Sequence, residues 1–495
     1  MLSRILGFVR EMMFAAFLGT GPVIEAFLIA FSLPNMFRRL FAEAAFNMAF
    51  VPMFSKKVET GDGPLDFARD ALAGMATILL VLTIIAQIFT PALVFLMASG
   101  FAGDERFDLA VIYGRIAFPY ILFIALAALL SGVLNALGRF AAAAAAPVLL
   151  NIIFIAAISG AYLIGLDLGL TLAWAVPIAG IAQLTLVWVA AARAGYPVIP
   201  RRPRLTPELK RLAIIAAPAA LAGGVVQINL LVGRNVSSQF DGAVAWLYYA
   251  DRLYQLPLGV IGIAIGVVLL PDLSRKLAAG DTQGGRDGFN RATELALALT
   301  IPCSVALMVI PAPMIAVLFQ RGAFSSDDTA FTALAVAVYG AGLPAFVLQK
   351  VFQPLYYARE DTRRPFYFAV VAMVVNAAIA IGFASTIGYI AAAFATSIAG
   401  WAMAWLLWRY AREFGEAAQF DDRFRKRMPR IILASILMGI VLYGMMILLI
   451  SPLALPVWRV AALAALLVTG GVSYALFGKW LGAFNPGEFR SALRR

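Results

Sequence analysis

The sequence predicts an all-α polytopic membrane protein of about fourteen transmembrane helices, in two pseudo-symmetric six-helix lobes followed by two C-terminal helices. Three observations carry this. The 495 residues are 62% hydrophobic and only 13% charged, whereas soluble domains carry about 25% charged residues. Apolar stretches long enough to cross a bilayer follow one another along most of the chain, without the alternating pattern of a membrane barrel. The basic residues fall in every second loop, as the positive-inside rule requires.

The hydrophobic segments lie near 2–18, 25–54, 69–99, 108–137, 140–164, 169–194, 208–236, 244–277, 287–318, 328–357, 363–386, 388–415, 427–450 and 456–481. The first is short; the second and eighth are long and contain charge. Lys56, Lys57 and Arg69 separate the second from the third, and Arg139 the fourth from the fifth. Arg193, Arg201, Arg202, Arg204, Lys210 and Arg211 separate the sixth from the seventh. Arg275, Lys276, Arg286 and Arg291 follow the eighth, and Arg359, Arg363 and Arg364 the tenth. Arg409, Arg412, Arg423, Arg425, Lys426, Arg427 and Arg430 follow the twelfth, and Lys479, Arg490, Arg494 and Arg495 the last. This set holds 28 of the 39 basic residues, and the opposite loops hold two, Arg106 and Arg321. Both termini are therefore expected on the cytoplasmic side. The net charge of +12 is a topology signal and not a nucleic-acid footprint.

Composition also narrows the chemistry. There is no histidine and one cysteine, Cys303, which rules out disulfides within the chain and His/Cys metal sites and removes the commonest general acid–base residue. No phosphate-binding G-x-x-x-x-G-K-[ST] loop is present. Arg4, Arg10 and Glu11 at the start disfavour a cleavable signal peptide. The acidic pair in Ser325–Asp328 reads as a helix cap, and Asp421 and Asp422 as solvated loop residues. The expectation is a protein that is not an enzyme and has no cofactor or metal.

The halves repeat weakly. VPMFSKK at 51–57 matches LPDLSRK at 270–276, and Ala136 and Asn151 recur at Ala358 and Asn376, all 219 to 225 residues apart. An even number of helices per copy gives both copies the same orientation. The expected division is 1–195, 196–415 and 416–495, with the proline-rich basic stretch 195–210 as connector.

Nine basic residues remain in or beside the spans: Arg4, Arg10, Arg38, Arg39, Arg115, Arg234, Arg252, Lys350 and Arg459. Arg115 and Arg459 are close enough to a span start to snorkel. An arginine at the middle of a spanning helix costs about 2.5–3.5 kcal/mol on insertion scales, so the others are functional candidates. Pro34 should bend or break the second span just before Arg38. Arg39 and Glu43 stand four apart and can neutralise each other; Glu11 can do so for Arg10, and Asp251 for Arg252. Arg4 and Arg10 are about 240° apart on a straight helix, and Gly7 between them could permit a bend. Glu25 reads as a helix cap or an outer-side gate. Arg4, Arg10, Arg38 and Arg252 are expected to converge on an aqueous, anion-accepting cavity, since the planar guanidinium suits phosphate oxygens.

SRILGFVRE at 3–11, FSLPNMFRRLFAE at 31–43, YADRL at 249–253, QRGAF at 320–324 and YAREDTRRP at 357–365 together resemble the MurJ (MviN) lipid II flippases over nearly the whole chain. The resemblance implies a fold of the multidrug/oligosaccharidyl-lipid/polysaccharide exporter type with a V-shaped central cavity for the diphosphate-sugar headgroup. The family's essential cavity arginines carry over onto Arg4, Arg10, Arg38 and Arg252, its acidic residue on the second span onto Glu25, and the serine before the first arginine onto Ser3. The last two spans then form a groove for the polyprenyl tail. Gln255 stands where some members carry an acid. The stretches 211–236 and 363–386 contain no Asp or Glu, the groups that sodium-binding members use there.

The expected function is movement of lipid II, a polyprenyl-diphosphate glycopeptide, from the inner to the outer leaflet of the bacterial cytoplasmic membrane, coupled to membrane potential through an ion not specified by the sequence. Expected partners are lipid II, membrane lipids and the cell-wall synthesis machinery. Two rivals share the fold: a flippase for another polyprenyl-linked glycan, and a cation or drug antiporter. The antiporter would need a cavity carboxylate, and the spans are rich in arginine instead.

Overall fold

The structure is a computed structural model and describes residues 2–39, 46–199, 201–264, 275–276 and 279–483. Among these residues the chain is all helical, with no strand, and ten helical segments are long and apolar enough to cross a membrane. It divides into two compact units, Met1–Ala245 with Arg321–Phe324, and Trp246–Gln320 with Ser325–Arg495.

The first unit holds α1 (Leu2–Leu18), α2 (Pro22–Arg38), α3 (Phe46–Thr60), α4 (Pro64–Ile88), α5 (Thr90–Met97), α6 (Glu105–Ala117), α7 (Tyr120–Ala136), α8 (Ala141–Ile164), α9 (Leu168–Arg193) and α10 (Pro207–Ser237). α9 lies between α7 and α8, α1 packs on α8, and α2 packs on α6. Leu129, Leu130, Val133 and Val187 form a buried core with Phe50, Phe54 and Phe67, whose rings stack at 5.5 Å. Close crossings use small residues, because helices in lipid gain from van der Waals contact more than from apolar burial. A Cβ at Gly180 would meet the Tyr120 ring at 2.8 Å.

The expected division at 195 marks a change in sequence character, whereas the compact units part after Ala245. The reason is local. Arg201 of the connector makes a two-pronged bond to Asp70, at 2.6 and 2.5 Å, and reaches Asp66 at 2.9 Å, both on α4. α10, capped by the Thr206 hydroxyl, then packs on α3, α4 and α5.

α11 (Ala243–Ala264) leads into the second unit, which continues with α12 (Thr282–Val309), α13 (Pro311–Phe319), α14 (Ser326–Tyr357), α15 (Arg363–Ile387), α16 (Ile390–Ala411), α17 (Asp422–Leu448), α18 (Ile450–Ala454) and α19 (Arg459–Trp480). α14 packs on α12 and α16, α15 on α16, and α17 on α12 and α19. Phe289, Val347, Val351, Tyr356 and Leu407 fill its core. The internal plan repeats that of the first unit. The α4/α5 break at Phe89 recurs between α12 and α13 at Ile310, 221 residues on. A glycine of positive φ after α8, Gly165, has a counterpart of positive φ after α15, Gly388, 223 residues on.

Two loop readings change. Ser325 and Asp328 do form a capping box on α14. Asp421, however, is not merely solvated. It caps α17 and pairs with Arg291, whose other arm reaches Glu294 at 2.9 Å. Glu294 also receives Arg427 at 2.6 Å and Arg423 at 3.3 Å. One buried carboxylate thus gathers three arginines and pins α17 to α12.

Candidate functional site

α1 runs as one continuous helix through Gly7. Ser3, Gly7 and Arg10 follow i, i+4, i+7 and share one helix face, which lies against Asn151 of α8. Asn151 Nδ2 donates to the Ser3 carbonyl at 2.9 Å, and its Oδ1 accepts from Arg10 Nη1 at 3.0 Å. A Cβ at Gly7 would sit 3.6 Å from Asn151 Nδ2, an ordinary contact, so Asn151 approaches the helix there without requiring glycine. The other arm of Arg10 pairs with Glu11, which is buried. The guanidinium also lies 5.6 Å from the Phe14 ring and 5.5 Å from Phe154, and only 11% of the side chain is exposed. Arg10 is therefore a held charge, fixed in orientation. Arg4 is exposed and off this face.

α2 continues through Pro34, so the proline does not break it. Nearby carbonyls take side-chain donors instead: Asn35 Nδ2 donates to the Phe31 carbonyl at 2.8 Å, and Ser32 Oγ to that of Leu28. Asn35 Oδ1 accepts from Arg38 Nε at 3.2 Å. Arg38 is half-buried and Arg39 exposed. Glu43, the expected partner of Arg39, lies outside the described residues. In the second unit, Arg252 lies over the Tyr248 ring at 4.6 Å and is half-buried. Asp251 accepts from the Gln255 amide one turn on. The structure thus joins Ser3 and Arg10 through Asn151; Arg38 stands on α2 in the first unit and Arg252 on α11 in the second.

Glu25 does not cap α2, whose N-cap is Gly21. It is 1% exposed. Its Oε2 accepts from Arg106 Nη1 at 3.0 Å and its Oε1 from the Val244 amide at 2.9 Å. Arg106 also pairs with Asp104 and, at 2.7 Å, with Asp241, and lies 4.6 Å from the Phe101 ring. Burial works to raise the Asp104 pKa, but hydrogen bonds from the Arg106 side chain and backbone outweigh it and hold it below its usual value. This knot ties the turn after α10 to the starts of α2 and α6. The same turn is fastened again by Asn235, which donates to the Leu96 carbonyl and accepts from Ser99 Oγ, and by Ser238, which accepts from the Gly100 amide. Nearby, within the same unit, the Ala323 amide bonds the Ala16 carbonyl at 2.8 Å. Gly322, at φ +58°, passes so close that a Cβ would stand 2.1 Å from that carbonyl.

Sequence reasoning missed Arg106 and Asn151 as site residues. Arg106 was legible as one of two cations on the poorly charged side. Asn151 was legible as a polar residue repeated at Asn376.

The chain is similar to known proteins along most of its length. A family model described as lipid II flippase MurJ matches residues 14–469. The probable lipid II flippase MurJ of Rhizobium meliloti (strain 1021) is 46% identical over 448 residues, covering 89% of this chain and 84% of that one. The lipid II flippase MurJ of Burkholderia cenocepacia is 36% identical over 387 residues, covering 76% and 74%. A solved lipid II flippase MurJ in an inward closed conformation superposes with a TM-score of 0.80 at 26% identity, covering 97% of both chains. An inward-facing multidrug transporter of the MATE family shares the fold alone, with a TM-score of 0.71 at 16% identity over 84% of this chain and 95% of that one. With the match running from α1 into α19, and the arginine-bearing helices α2 and α11 inside it, the chain belongs to the lipid II flippase MurJ family.

Proposed function

We propose that this protein moves lipid II from the inner to the outer leaflet of the bacterial cytoplasmic membrane by alternating access, with both termini in the cytoplasm. The reading is supported most by accessible cations on membrane helices: Arg4 is exposed, and Arg38 and Arg252 are only half-buried. Such groups are costly in lipid unless an anion or water meets them. Arg4, Arg38 and Arg252 bind the diphosphate, and Ser3, Asn151 and Glu11 hold Arg10 beside it. The polyprenyl tail stays in lipid along α17 and α19. Arg39 with Glu43, and Asp251 with Pro34, support the binding groups. Translocation makes and breaks no covalent bond, so it needs neither catalytic residue nor cofactor. Moving net charge couples the cycle to membrane potential at about 2.3 kcal/mol per charge per 100 mV. Its partners are lipid II, membrane lipids and the enzymes that use lipid II in wall synthesis.

The test is flipping of labelled lipid II in reconstituted vesicles. A charge-assisted hydrogen bond contributes about 1.5–3 kcal/mol, so Arg38→Ala and Arg252→Ala should each slow flipping at least about tenfold. Wild-type rates in both variants would show that these arginines do not bind the headgroup.

A further inference from the structure

Lys350 is an intramembrane cation that the arginine site leaves unused. Between Thr329 and Tyr357 it is the only charged residue of α14. Its setting is the seam between α14 and α11 within the second unit. Tyr254 of α11 lies 5.1 Å from the Tyr339 ring and 5.8 Å from that of Phe346, and Ile261 shares a buried cluster with Val347 and Val351. One residue further, a Cβ at Gly262 would stand 2.9 Å from Lys350 Nζ. The ammonium therefore occupies the space that this glycine leaves. It remains exposed, and no hydrogen bond or ion pair engages it among the described residues.

The contacts advance in step from Tyr254 to Gly262 on α11 and from Phe346 to Lys350 on α14, so the two helices run parallel. Arg252 precedes Gly262 by ten residues, or about 15 Å along the axis and about 80° in azimuth on a straight helix. The second unit thus offers two cations of different kind, Arg252 and the Lys350 ammonium beside Gly262, about ten residues apart along α11. A planar guanidinium fork matches phosphate; a compact ammonium with three donors matches a carboxylate.

We infer that Lys350 binds a carboxylate of the substrate's peptide stem and so favours peptide-bearing over peptide-free lipid-linked saccharides. This rests on the lipid II reading of the arginine site. With the diphosphate at Arg252, three extended residues cover about 10 Å at ~3.5 Å each, and the sugar ring spans the remainder. A carboxylate near the middle or end of the stem then falls within reach of the lysine.

The experiment compares two probes in vesicles: a polyprenyl-diphosphate disaccharide bearing a pentapeptide, and the same lipid without peptide. Lys350→Gln should slow flipping of the first about fivefold, the size of one accessible ion pair, and leave the second unchanged. Lys350→Arg should restore most of the loss. Arg252→Ala should slow both probes. If Lys350→Gln affects neither probe, the lysine only reaches for lipid headgroups and the inference fails. If it slows both equally, the lysine is structural and the inference fails. If Arg252→Ala slows neither probe, it is instead the headgroup assignment that falls.

Discussion

Arg106→Ala is the sharpest test of the knot around Glu25. The substitution leaves a carboxylate that is 1% exposed with backbone amides, those of Val244 and Gly242, as its donors. Breaking a buried ion pair by removing one partner costs about 3–5 kcal/mol; the surviving amide bonds place the expected loss near the lower end, about 3 kcal/mol. Asp241 on the same arginine is 92% exposed, so Asp241→Asn should cost at most ~1 kcal/mol. Glu25→Gln keeps an acceptor for Val244 and leaves Arg106 with Asp104 and Asp241, so it should cost about 1–2 kcal/mol. With the charge at position 25 gone, Arg106→Ala no longer strands an ion, and the double variant should fall short of additivity by about 1–3 kcal/mol. Unfolding in mixed detergent micelles gives the four stabilities, and hydrogen exchange at the Val244 amide should speed up in Arg106→Ala. Additive single and double variants, or an Asp241→Asn as harmful as Arg106→Ala, would refute the claim that buried charge holds this turn.

Asn151→Ala removes both the Ser3 and Arg10 bonds; it should cost about 1–2 kcal/mol of stability and slow lipid II flipping several-fold in vesicles. Glu294→Ala leaves Arg291, Arg423 and Arg427 facing one another. It should cost about 2–4 kcal/mol, reduced from the fully buried case because two of the arginines are partly exposed, and added salt should recover part of the loss in a thermal-unfolding series.

Hydropathy, loop charge and the arginine motifs determined the all-helical membrane architecture and the family from the sequence, because each rests on composition or on local spacing. The cap at Ser325 was legible for the same reason, since it is read from its immediate neighbours. The partners of the charges were not legible. Asp421 reads as a solvated loop residue until Arg291, 130 positions away, closes on it. Glu25 reads as a cap until Arg106 and Val244 reach it from two other segments. Arg10 reads as the partner of Glu11 alone until Asn151 arrives from α8. In lipid a charge must find its complement wherever the fold can bring one, and that meeting is a property of helix packing, which no local pattern in the chain encodes.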